Sequence, residues 1–115
     1  MDELKEKAQY DIKIAQKLIS LRDRANYLGK DFDITFSFLK RLKSRKTCQY
    51  TGMRFDDGEN SLSIERVDSD KGYTQNNVVA VSERINKAKN NFTYDDLKLI
   101  LKAIEEHQKL LEEQE

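Results

Sequence analysis

Between Ser61 and Lys89 the run SLSIERVDSDKGYTQNNVVAVSERINKAK sets a short strand-like stretch, a polar loop, a second strand-like stretch and a helix-like stretch one after another. That order can bring a carboxylate, Glu65, against an amide, with Asn77 beside the second apolar stretch and Asn86 inside the helical one. A carboxylate supplies oxygen lone pairs, and an amide supplies an acceptor oxygen and two N–H donors without titrating. Arg66 adds a permanent positive charge and a fork of donors suited to phosphate, so it can clamp an anion but is a poor general base near neutral pH.

The elements that must position these groups are legible in the apolar pattern. Leu62, Ile64 and Val67 make a short strand, and Val78, Val79, Ala80 and Val81 its hairpin partner, with Gly72 and the Gln75 to Asn77 segment shaping the loop between them. A helix follows over Ser82 to Asn90, with Ile85 and Ala88 on one side. Upstream, CQYTGMRFDDGEN reads as a strand, a turn near Gly52 and a loop around Gly58. DFDITFSFLKRLKSR reads as an extended entry, a cap near Thr35 and a helix to about Ser44, with Phe32 and Phe36 as core anchors.

At the ends, Leu4, Ala8, Ile12, Ala15 and Ile19 recur at helical spacing, and Leu18, Ala25 and Leu28 widen that stripe until Gly29 stops the helix. Thr93 with Asp96 forms a capping pair ahead of Leu97, Ile100, Leu101, Ile104 and Leu111, a second amphipathic helix that should pack on the first or on a partner. The expected organisation is an N-terminal helix over 1–31, a core over 32–92 and a C-terminal helix over 93–115, all in one compact domain.

Three pieces, FDITFSFL, CQYTG and above all SIERVDSDKGYTQNNVVAVSERINKAK, resemble the phage-associated HNH endonucleases of the ββα-metal fold. Gly72, Tyr73, Asn77 and Val78 match the family's loop-to-strand transition, and Asn86 with Lys89 its terminal Asn-x-x-Lys feature. The resemblance implies an α+β fold, a small ββα-metal core with flanking helices. It further implies a DNA endonuclease whose site comprises Glu65, Arg66, Asn77 and Asn86. Glu65 and the Asn86 amide carbonyl would be oxygen ligands to Mg2+ or Mn2+, while Asn77 organises the loop. Arg66 stands where the family carries its general-base His. Asp68 could support a water-mediated proton route or cap and pair locally. The other reading is an inactive HNH-like protein that binds a host or viral protein and regulates nucleic-acid metabolism.

Composition narrows the partners. The 115 residues carry 21 basic and 21 acidic groups, no Pro and four Gly, which suits one small helix-rich domain with no overall nucleic-acid signature. The charges are unevenly placed: KRLKSRKTCQYTGMR, from Lys40 to Arg54, contains no carboxylate. Arg41, Arg45, Lys46 and Arg54, with Arg66 and Lys89, are therefore the candidate DNA contacts. The terminal helices are the candidate protein-binding surface. A lone Cys48 can form neither an intrachain disulfide nor a structural zinc site, and His107 sits far from the carboxylate and amides. No apolar run approaches about eighteen residues and the first residues are charged, so neither a membrane span nor a signal peptide is expected. The expected location is the cytoplasm, the host's if a phage encodes the chain.

Overall fold

Two antiparallel strands, β1 (Leu62–Arg66) and β2 (Val78–Ser82), meet in the register that their alternating side chains require. Leu62, Ile64 and Arg66 lie opposite Ser82, Ala80 and Val78 on one face, while Ser63 and Glu65 lie opposite Val81 and Val79 on the other. A one-residue slip would turn Glu65 onto the apolar side. The other edge of β2 is covered: the Ala80 N–H donates to Gln49 Oε1 at 2.7 Å, and Gln49 N–H to Ala80 O at 2.9 Å. Val67, expected in the strand, falls just beyond it and is largely exposed.

The computed structural model describes residues 2–114; Met1 and Glu115, the outermost residues of the expected terminal segments, lie outside them. In chain order the elements are α1 (Asp2–Leu28), α2 (Phe36–Lys43), β1, β2, α3 (Glu83–Lys89) and α4 (Tyr94–Glu113). This is the expected α+β arrangement, a ββα unit flanked by helices. Between α2 and β1 the expected strand is reduced to a single bridge between Thr47 and Arg54, around a turn in which Gly52 takes φ +73°.

Caps explain where the helices begin and end. Thr35 and Ser82 accept from Phe38 N–H and Ile85 N–H respectively. Glu83 and Arg84, in the first turn of α3, donate their N–H groups to Ser61 O and Glu59 O, each at 2.8 Å, which ties this helix to the chain entering β1. Gly29 ends α1 at φ +67°, with Lys30 N–H donating to Ala25 O and Gly29 N–H to Asn26 O, a Schellman ending.

The core forms where α1 and α2 meet the Ile64 face of the hairpin: Ile14, Leu21, Ala25, Ile34, Leu39, Leu42, Val78 and Ala80 are buried, with Phe32 and Phe36 packed against them. The buried stripe of α1 coincides with the expected one only at its widened edge, Leu18 and Ala25. Ile14, Leu18, Leu21 and Ala25 turn inward, whereas Leu4, Ile12 and Ile19 are at least half exposed. The two stripes lie about 100° apart around the helix, each with sound helical spacing, and contact with α2 decides between them. α4 has the expected Thr93–Asp96 capping box but buries none of its residues. Its projection and that of the first turns of α1 give a radius of gyration of 17.9 Å; a compact chain of this length would have about 13 Å.

A close backbone contact joins the core to the hairpin loop. Tyr73 N–H donates to Asp31 O at 3.0 Å and Asp33 N–H to Tyr73 O at 3.2 Å. At Gly72 a β-carbon would collide with Asp31 O and sit 2.6 Å from Asp31 N, a contact between two backbones that neither can relieve. Gly72→Ala should therefore destabilise the fold by about 2–3 kcal/mol, as expected for overpacking. Urea unfolding followed by circular dichroism measures it, and an unchanged midpoint would show that the two segments do not approach in solution.

Candidate active site

The loop between the strands is organised by one side chain. Asn77 is buried, its Oδ1 accepts from Asp68 N–H at 3.0 Å, and its Nδ2 donates to Asp68 O at 3.0 Å and Gly72 O at 2.8 Å. Its own carbonyl accepts from Val67 N–H at 2.7 Å. Both N–H donors of this amide and its oxygen are engaged in the loop, and Asn77 is a structural neighbour of the cleft, not among the residues lining it.

The loop in turn fixes Arg66. Its Nη1 donates to Ser69 O and to Lys71 O, each at 2.9 Å, and its guanidinium lies 5.0 Å from the centroid of the Tyr73 ring. The remaining nitrogens, Nε and Nη2, have no acceptor among the described residues. Arg66 makes no ion pair with Glu65.

Glu65 pairs instead with Lys89, whose Nζ stands 3.5 Å from Glu65 Oε1 and donates to Val67 O at 3.1 Å. Both side chains are at least nine-tenths buried, and Glu65 Oε2 is buried with no hydrogen-bond partner. Burial pushes the Glu65 carboxyl above its ordinary range, while the charge of Lys89 and the donors of Tyr50 and Lys89 act in the opposite direction. The Tyr50 phenol is held well above its usual range, first by burial and then by the Glu65 charge. Asn86, one turn before Lys89 on α3, donates from Nδ2 to Ser63 Oγ at 2.9 Å. Ser63 is two residues from Glu65 on the same strand face, so Asn86 and Glu65 are on the same side of the hairpin.

A polar cleft of about 350 Å³ collects Glu65, Arg66 and Asn86 with Arg24, Tyr73 and Asn90. Three of the four expected catalytic residues therefore meet. The expected DNA contacts divide: Arg66 lines the cleft and Lys89 lies beneath it against Glu65, whereas Arg41 and Arg45 border a separate hollow with Gln49 and Gln75. Lys46 and Arg54 lie by the Thr47–Arg54 bridge, away from Glu65. Sequence reasoning missed Arg24 and Tyr50. Arg24 sits on a charged helix close to Arg22, and Tyr50 in a turn, so neither carries a pattern that points to Glu65. No cluster of three or more His, Cys, Asp or Glu residues occurs among the described residues, and His107 is exposed on α4.

No protein-family model matches the chain. It is 35% identical over 88 residues to an uncharacterized 29.0 kDa protein of the dda-modA intergenic region of Enterobacteria phage T4, an alignment covering 74% of this chain. The chain spans 35% of that relative's length. Among solved structures it is similar to the rare-cutting HNH restriction endonuclease PacI, described for its mechanism of DNA perturbation, with a TM-score of 0.55 and 22% identity over 83% of this chain and 78% of the other. The likeness to PacI, together with the two strands followed by α3, shows that this chain has the small α+β fold of an HNH endonuclease core.

Proposed function

We propose that this chain is an HNH-type nuclease that hydrolyses DNA phosphodiester bonds with a divalent cation. The observation that carries the reading is the meeting of Glu65, Arg66 and Asn86 in one polar cleft, with a buried carboxylate oxygen that no protein group satisfies. An orphaned buried oxygen is costly unless a ligand completes it. Asn86 is oriented through its Nδ2, which leaves its amide oxygen free. Two oxygen donors and an open remainder suit Mg2+ or Mn2+, which keep waters and take up substrate oxygens, and do not suit a closed zinc site. When bound, such an ion would supply charge stabilisation to the reacting phosphate.

The chain's own residues do the rest. Arg66, fixed by two carbonyls and the Tyr73 ring, presents its free nitrogens to a phosphate without losing side-chain freedom on binding. It cannot take a proton from water, and no His is in the cleft, so the proton of the attacking water leaves through solvent or through the substrate phosphate. Lys89 favours the charged form of Glu65 against the effect of burial and at the same time competes for its oxygens.

The relative in phage T4 agrees with a phage setting, and no helix among the described residues is long and apolar enough to cross a membrane. The protein-binding reading draws on the absence of a His from the cleft, the zero net charge and the exposed apolar sides of both terminal helices, Leu4, Ile12 and Ile19 on α1 and Leu101 and Leu111 on α4. It explains neither the orphaned Glu65 oxygen nor the unpaired Arg66.

With Mn2+ or Mg2+ the protein should cut single-stranded, duplex or branched DNA, and chelation should stop it. Glu65→Gln and Asn86→Ala, checked for folding by circular dichroism, should each lower the rate roughly 10²-fold or more. No cutting of any of the three substrates would defeat the enzyme reading. Lys89→Met should behave differently: leaving a buried carboxylate uncompensated costs about 3 kcal/mol without metal. Mn2+ should then raise the melting temperature of this variant by more than that of the original chain. An equal or smaller metal-induced rise in Lys89→Met would show that Lys89 does not compete with a cation at Glu65.

A further inference from the structure

The cleft holds a second arginine that the sequence did not single out. Arg24, on the last third of α1, donates from Nε to the Tyr73 hydroxyl at 3.1 Å, while Arg66 lies over the ring of the same tyrosine at 5.0 Å. Tyr73 is buried and its backbone is clamped to Asp31 and Asp33, so both guanidinium groups are referenced to one rigid post. Two like charges brought to one side chain repel each other, and that cost is ordinarily relieved by a carboxylate. Among the described residues neither arginine has one: the ion pairs are Arg22–Asp23, Lys40–Asp11, Lys87–Glu83 and Lys89–Glu65. The only acid lining the cleft, Glu65, is already matched by Lys89.

The hydrogen bonds leave the same gap. Arg66 uses Nη1 on two carbonyls and has Nε and Nη2 free; Arg24 uses Nε and has both terminal nitrogens free. The other polar rim groups are amides, Asn86, Asn90 and Asn91, a hydroxyl, Ser69, and Lys87, which pairs with Glu83 at 3.8 Å; all of them can donate. A site with unpaired planar donors and no counter-charge is built for an anion with several oxygens.

We infer that Arg24 and Arg66, held by the hydroxyl and the ring of Tyr73, form a two-guanidinium seat for one DNA phosphate beside Glu65, which makes α1 part of the DNA-binding surface. The choice of DNA as the source of the phosphate rests on the nuclease reading; the unpaired charge does not. The seat needs no metal, because its donors are all protein groups. It also explains why a long helix is anchored to the hairpin loop by a polar contact at the cleft as well as by the core.

The test is binding of a fluorescein-labelled DNA duplex in EDTA, across a salt series. Arg24→Gln should weaken binding about tenfold and make the slope of log K against log salt shallower by about 1, the signature of one lost phosphate contact. Arg66→Met should do the same. The double variant should lose less than the product of the two, since both groups serve one phosphate. Tyr73→Phe keeps the ring and removes the Arg24 anchor, so it should weaken binding by a smaller factor; it guards against misreading a folding defect. Arg24→Gln with unchanged affinity and slope would overturn the seat, even if Mn2+-dependent cutting through Glu65 persists. Arg24-dependent binding by a chain that cuts nothing would uphold the seat and defeat the nuclease reading. No DNA binding by the unaltered chain in EDTA would overturn the seat, while the nuclease reading stands or falls on metal-dependent cutting.

Discussion

The Asn77 side chain is the constraint on which the cleft depends. An eleven-residue excursion between two short strands (67–77) has many ways to lie, and a two-stranded hairpin alone is marginal in water. By closing on Asp68 at one end and Gly72 in the middle, this amide converts the excursion into a defined loop. The consequences run outward from there. Ser69 O and Lys71 O are placed where Arg66 can reach them, and Gly72 is set so that its backbone can press on Asp31. Tyr73 then enters the core with its hydroxyl turned to Arg24. One buried amide that never titrates thus fixes the direction of both arginines of the cleft.

Charge inside the hairpin follows from burial more than from sequence neighbours. Arg66 is adjacent to Glu65 in the chain, yet alternation along β1 sends the two side chains to opposite faces, and Glu65 finds Lys89 one turn beyond Asn86 on α3. A lysine is a compact point charge that can be drawn away as a substrate or ion arrives, whereas an arginine locked onto two carbonyls cannot. In this arrangement the lysine sits on the carboxylate, and the fixed arginine keeps two of its nitrogens unpaired. The opposite assignment would hold Glu65 permanently neutralised.

The hairpin, α3 and the caps at Thr35, Ser82 and Thr93 were legible because each is local: alternation, spacing and a hydroxyl before a helix are visible within a few residues. The meeting of Glu65, Arg66 and Asn86 was legible through the family resemblance, which carries three-dimensional information that spacing does not. The inward face of α1 was legible only at Leu18 and Ala25, and not at Ile14 and Leu21. Ile14, Leu18, Leu21 and Ala25 make as good a stripe as Leu4, Ala8, Ile12 and Ile19, and only the position of α2 selects the first. Arg24 and Tyr50 were illegible for a related reason, since each reaches the site across a long sequence separation, Arg24 to Tyr73 and Tyr50 to Glu65. Lys89 was named for phosphate and is found against a carboxylate, because burial of Glu65 was itself invisible in a sequence rich in exposed acids.

In the reading proposed for this chain, Arg66 takes the place of a proton acceptor without disturbing the shape of the core. The side chain at this place does not hold the two strands together; the ladder and Asn77 do that. A long, planar, permanently charged group was therefore free to occupy it, provided its charge could be accommodated. Ser69 O, Lys71 O and the Tyr73 ring accommodate it, and Arg24 converges on the same ring from a different element. On that reading the cleft offers donors for an anion and no imidazole to accept a proton. In the reading proposed for this chain, capture of a phosphate is built into the protein, and the proton transfer that the family assigns to His must come from solvent or from the substrate, so binding is the better-equipped half of its function.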